Sequence, residues 1–143
     1  MEGNLMRMWL IRSGAIGMAL IWAVGWGAGA GGFIEAFVDP HGEIEDVWPM
    51  VLAILGSIGG VAFWGLRRIA ERGRSLEEST VPRTLLWGTL AGLTAGLAAR
   101  AVGAPPDAIL LTSLLGALSG PATWLLFRYA AGDRSPLPTR PTR

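Results

Sequence analysis

The stretch WPMVLAILGSIGGVAFWGL, residues 48–66, decides the fold. It contains no charged residue and stops at Arg67-Arg68. A helix of about 20 apolar residues crosses a hydrocarbon core of about 30 Å, so this stretch reads as a transmembrane helix. Three others read the same way, and helices are expected at about 13–34, 48–69, 83–102 and 108–130. The third has the shortest apolar run, Thr84 to Ala99, and spans only if Arg100 snorkels to the far interface. The first is too long for a cleaved signal peptide, and Gly31-Gly32-Phe33-Ile34-Glu35 lacks a cleavage pattern. Composition agrees: 51% of residues are hydrophobic, Gly supplies 21 positions and mean hydropathy is +0.43. The expected fold is an all-α membrane protein of four transmembrane helices, one domain over 1–143, with an extended Pro/Arg tail at 135–143.

The arginines orient it. All 12 basic residues are Arg. Arg7 and Arg12 precede the first helix, Arg67, Arg68, Arg72, Arg74 and Arg83 flank the middle loop, and Arg128, Arg134, Arg140 and Arg143 follow the fourth helix. Only Arg100 falls on the opposite side. The positive-inside rule then puts both termini and the middle loop in the cytoplasm. The outer loop is acidic, with Glu35, Asp39, Glu43, Glu45 and Asp46. Asp46, Thr80 and Asp107 are expected to cap the second, third and fourth helices, with Pro49 in the first turn of the second. Glu71 lies three and four residues after Arg68 and Arg67, so the second helix is expected to run to Arg72 and stop at Gly73.

Shifting the second helix by 60 positions superposes it on the fourth. Leu55, Gly56, Gly60, Ala62, Trp64, Leu66, Arg68 and Ala70 meet Leu115, Gly116, Gly120, Ala122, Trp124, Leu126, Arg128 and Ala130. The first and third helices match only through Trp9/Gly14 against Trp87/Gly92. The pattern predicts a duplicated helical hairpin whose copies have the same orientation, unlike the inverted repeats of many transporters.

Small residues recur on one face of every helix: Gly25 and Gly29 within the run Gly25, Gly27, Gly29, Gly31, Gly32, then Gly56 and Gly60, Gly92 and Gly96, Gly116 and Gly120. In lipid such faces let backbones approach closely, either within one bundle or against another protein. Trp9, Trp48, Trp64, Trp87 and Trp124 fall near helix ends, where an indole suits the membrane interface. Arg67, Arg68, Arg72 and Arg74 are candidate contacts for anionic headgroups or a partner.

Little else suggests chemistry. A charge at mid-membrane costs about 2.5–3.5 kcal/mol on insertion scales and usually marks an ion path; the four segments carry none internally. Thr89, Thr94, Thr112, Ser113, Ser119 and Thr123 are expected to bond their own helix carbonyls. His41, with Asp39, Glu43, Glu45 and Asp46, could hold a divalent cation only weakly, and a solvated acidic loop is the simpler reading. No catalytic set, phosphate loop or metal-ligand motif is present, and Cys is absent. The expectation is a protein that is not an enzyme, has no cofactor of its own and does not bind nucleic acid. Its partners would be membrane lipids and other membrane subunits.

The stretch Gly59-Gly60-Val-Ala-Phe63, Leu66, Ile69-Ala-Glu71, then Val81-Pro-Arg83 and Trp87-Gly88, resembles small uncharacterised four-helix membrane proteins of bacteria. The resemblance covers the middle third of the chain and implies the bacterial inner membrane. Some small membrane proteins of this kind are accessory subunits of photosynthetic reaction centre–light-harvesting complexes, which implies a non-catalytic accessory role. Trp22, Trp26 and Trp64 would then be candidates to touch a neighbour's pigment. The alternative is a small oligomeric channel or transporter. Chain length is similar to that of four-helix multidrug exporters and fluoride channels. The exporters' first-helix carboxylate has no counterpart between Ser13 and Ile34, however, and no Asn lies in any span.

Overall fold

The computed structural model describes residues 14–38, 40–41, 47–71, 74 and 76–132. The described residues form four long helices. Helix α1 runs Ala15–Val24 and continues through π-helical turns at Gly25–Gly31 and Ile34–Val38. Helix α2 spans Trp48–Ala70, α3 Val81–Ala101 and α4 Asp107–Gly132, with a 3₁₀ turn at Leu76–Glu78 before α3. Among the described residues three segments, Ala15–Val38, Trp48–Ala70 and Asp107–Ala130, are long and apolar enough to cross a membrane. The 21 residues of α3 have the length, but Arg83, Arg100, three Thr and three Gly dilute their apolarity. Its surface answers to protein instead: Thr84, Gly88, Ala91, Gly92, Ala95, Gly96 and Ala99 are all buried.

Glycine sets the hairpin contacts, because a side chain at these positions would collide with the facing backbone. A Cβ on Gly60 would lie 2.5 Å from the Met18 carbonyl oxygen, and one on Gly56 2.5 Å from that of Trp22. Further along the pair, a Cβ on Gly27 would be 2.8 Å from Ala53 Cβ, and one on Gly31 2.5 Å from Pro49 Cα. In the second hairpin Gly120 meets the Thr84 carbonyl, Gly88 and Gly116 meet each other's carbonyls, and Gly92 meets that of Thr112. A Cβ on Gly96 would lie 2.7 Å from Ile109 Cα and closes the series. Both pairs are antiparallel, since rising numbers on one helix meet falling numbers on the other.

The contact levels on α1 are 18, 22, 27 and 31, whereas on α3 they are 84, 88, 92 and 96. The five-residue step from 22 to 27 coincides with the start of the π-helical turns at Gly25. A wider turn takes up one extra residue, and alternating glycines hold the α-conformation weakly enough to permit it. As a result Gly27 and Gly31 pack against α2, while a Cβ at Gly25, Gly29 or Gly32 would meet no other part of the described structure within 4 Å. Of the α1 glycines expected to pack, Gly25 and Gly29 meet no facing helix among the described residues.

The core is aromatic. Trp22 and Trp26 are 1% and 2% exposed, with ring centroids 5.7 Å apart and planes at 28°. Phe63 tilts onto Trp22 at 5.1 Å. Such pairs contribute about 0.5–1.5 kcal/mol beyond the area they bury. Met18, Leu52, Leu76, Ala91, Ala95 and Trp124 complete the cluster.

Several helix ends differ from expectation. The helical turns of α1 persist to Val38, past Ile34. Helix α2 ends at Ala70, with Glu71 rather than Gly73 at its C-cap, where the backbone leaves the helical region at φ −113° and ψ 49°. Val47 occupies the N-cap of α2 and Pro49 its first turn. Thr80 holds the N-cap of α3 in extended conformation, but its hydroxyl makes no capping bond; Asp107 is the first residue of α4 rather than its cap. Arg100 turns to the end of α3, where Nη1 donates to the Ala104 carbonyl at 3.4 Å. Trp9, Arg72, Gly73, Asp46 and the tail 135–143 lie outside the described residues.

Candidate functional site

The densest polar constellation lies where α2 meets α3. Arg67 donates from Nε and Nη2 to Glu71 Oε2, at 3.2 and 3.1 Å. Ser79 Oγ donates to the same oxygen at 3.0 Å and accepts from Arg67 Nη2 at 3.2 Å. Trp87 Nε1 donates to the other oxygen, Oε1, at 3.1 Å. The Arg67 and Glu71 side chains are only 13% and 6% exposed. Arg67 is therefore engaged inside the protein, with little of its side chain exposed. Arg68 does not pair with Glu71 as its spacing suggested; its guanidinium sits 5.3 Å over the Trp64 ring. Ser79 and Trp87 join from the next loop and helix, a partnership that spacing within α2 could not reveal.

Burial pushes the Glu71 carboxyl up, but hydrogen bonds from Ser79, Trp87 and Arg67, with the Arg67 charge, outweigh it. The carboxyl is held below its ordinary value of 4.5. A depressed folded value means the ionised network stabilises the fold above that ordinary value and the contribution fades as pH falls through the depressed one. Glu71→Gln should cost about 1–3 kcal/mol near neutral pH, because Arg67 loses its counter-charge in a nearly buried site. Thermal unfolding in detergent from pH 7 to pH 3 checks this. The wild-type melting temperature should fall toward that of the variant in acid, and a constant gap would contradict the role given to Glu71.

The second polar feature crosses the bundle core. Trp22 Nε1 donates to Thr123 Oγ1 at 3.1 Å, and Trp26 Nε1 to Ser119 Oγ at 2.7 Å. These bonds tie α1 to α4 and give both buried indoles the partner that a buried N–H requires. Thr89, Thr94, Thr112, Ser113 and Thr123 bond their own helix carbonyls. Thr123 therefore both donates along its helix and accepts across the core. Ser119 serves Trp26 instead. The indoles of Trp22 and Trp26 face inward, so neither presents a surface to a neighbour's pigment.

The other singled-out residues are dispersed. Trp48, Trp64 and Trp87 are half-buried near helix ends. Trp124 is buried, and Arg128 lies 5.1 Å over its ring. Trp64/Arg68 and Trp124/Arg128 are thus the same indole–guanidinium contact 60 residues apart. Arg74 is exposed beside the Glu71 network, and His41 is exposed beyond α1. Asp39, Glu43, Glu45 and Asp46, the weak cation candidates, lie outside the described residues. Among the described residues no cluster of three or more His, Asp or Glu is placed to hold a metal ion. Comparison with protein-family models, curated proteins and solved structures finds no match to this chain, so its own residues carry the functional reading.

Proposed function

We propose that this protein is a non-catalytic structural subunit of a larger membrane complex, docking through the outer face of α1. One observation carries the reading: nine glycines are used up against facing helix backbones inside the bundle, whereas Gly25 and Gly29 face open space among the described residues. Ala28 is exposed between them, and Val24, Phe33 and Phe37 flank this waist at 66%, 59% and 74% exposure. Large apolar side chains bordering a glycine waist suit close approach by another helix. The core favours this reading over a channel within one chain, since Trp22, Trp26 and Phe63 fill it and the Trp22 and Trp26 N–H groups are bonded across it.

The topology that goes with this reading has four crossings, both ends in the cytoplasm and two copies of one hairpin. Contact levels 49, 53, 56 and 60 of α2 fall 60 residues before 109, 113, 116 and 120 of α4, which supports duplication. The partner levels differ by 66 residues before the π-helical turns and 65 within them. That register replaces the weak Trp9/Gly14 match. Relatives aligned at the 60-residue offset should show the two hairpins converging; unrelated hairpins would show no excess identity there.

Purification through a tag in mild detergent, from the native membrane, tests the subunit reading. Other polypeptides should co-migrate in defined ratio; a chain that runs alone or only with itself would contradict it. The resemblance extends the proposal to a photosynthetic reaction centre–light-harvesting host, for which bacteriochlorophyll should co-purify.

A further inference from the structure

A groove of about 470 Å³ opens between the end of α2 and the start of α3. Ile69 and Leu86 form apolar walls, 73% and 52% exposed. Arg74 and Arg83 stand at its rim and are exposed. Glu71 and Trp87 form the inner wall, but the Glu71 carboxylate is already engaged by Arg67, Ser79 and Trp87. Its charge is matched within the protein. The backbone N–H of Arg74 donates to the Glu71 carbonyl at 3.0 Å, and this turn carries Arg74 to the rim. Among the described residues neither Arg74 nor Arg83 forms an ion pair.

The groove therefore offers two guanidinium groups above an apolar channel, and it begins where the α2 span ends at Ala70. We propose that it binds one anionic phospholipid, with the phosphate between Arg74 and Arg83 and an acyl chain along Ile69 and Leu86. Guanidinium groups match phosphate oxygens in charge and geometry. Basic residues at a membrane surface each favour anionic over neutral lipid. The half-buried Trp87 ring supplies the amphipathic wall that headgroup-level sites favour. The assignment differs from a diffuse basic loop in two ways. Arg67 is excluded because it serves Glu71, and Arg83 enters from α3.

Native mass spectrometry of the full chain tests this, using equal amounts of phosphatidylglycerol and phosphatidylcholine with identical acyl chains. One phosphatidylglycerol should be retained with a preference on the order of tenfold. Arg74→Gln with Arg83→Gln should bring the preference close to one, whereas Arg100→Gln, at the other end of α3, should leave it unchanged. Leu86→Gln should lower retention of both lipids. Equal retention of the two lipids by the wild-type chain would overturn the proposal without recourse to any variant. So would a preference that survives in a folded double variant. Displacement of the bound lipid by millimolar inorganic phosphate would also overturn it, pointing to a soluble phosphate compound.

Discussion

Gly116→Leu should prevent the second hairpin from forming, whereas Gly29→Leu should leave the isolated chain as stable as the wild type. At Gly116 even a Cβ would strike the Gly88 carbonyl oxygen, and Gly92 Cα would be 2.8 Å away. Both obstacles are backbone, so no rotamer change relieves them. Overpacking usually costs about 1–3 kcal/mol. Forcing two helix backbones apart also forfeits contact along the whole seam, because Gly88 and Gly92 on α3 and Gly120 on α4 depend on the same approach. The expected loss lies at or above the top of that range. At Gly29 nothing stands within 4 Å, so a leucine meets lipid or detergent in the isolated chain. Thermal unfolding of the purified variants in detergent separates the two. If the proposed subunit role holds, Gly29→Leu should fold normally yet lose its co-purifying partners. Equal destabilisation by both substitutions would mean that the seam is assigned to the wrong face.

Trp22→Ala should be the second severe change, costing about 3–5 kcal/mol. The indole is 1% exposed and touches Trp26 and Phe63. Its ring also covers Gly59, where a Cβ would come within 3.0 Å of Cε3. Trp22→Phe keeps most of the ring and removes the N–H, so it isolates the bond to Thr123. Polar contacts between membrane helices average about 0.6 kcal/mol and reach about 1.7, so Trp22→Phe should be several-fold milder. Thr123→Val should match Trp22→Phe in size, because it leaves the indole N–H without its acceptor. Urea- or detergent-driven unfolding followed by near-ultraviolet circular dichroism reads both effects. A Trp22→Ala variant as stable as Trp22→Phe would show that the aromatic cluster does not hold the bundle.

Much of this architecture was legible beforehand because lipid imposes simple rules. A long uncharged run must be helical, since its backbone groups have no other partner there. The four expected helices accordingly lie within a few residues of α1 to α4. The packed levels Gly56/Gly116 and Gly60/Gly120 keep the 60-residue offset of the sequence. What escaped was register and partnership. Glycines 25 to 32 recur every second residue or closer, so their spacing names no single helical face, and the π-helical turns then choose Gly27 and Gly31. The matched four-residue spacings of Trp22/Trp26 and Ser119/Thr123 could have suggested an antiparallel ladder between α1 and α4. That signal is visible only to a reader who already pairs those helices. Glu71 was linked to both Arg67 and Arg68 by spacing, yet geometry keeps one and gives the other to Trp64.

The most direct test of the docking role is photocrosslinking from Ala28, the exposed residue between Gly25 and Gly29, in the native membrane. A photoreactive residue at Leu118, exposed on α4, serves as the comparison. Ala28 should yield an adduct with one different polypeptide, identified by mass spectrometry, while Leu118 yields lipid adducts. If Ala28 also gives lipid adducts alone, or an adduct only with a second copy of the chain, the subunit reading is contradicted.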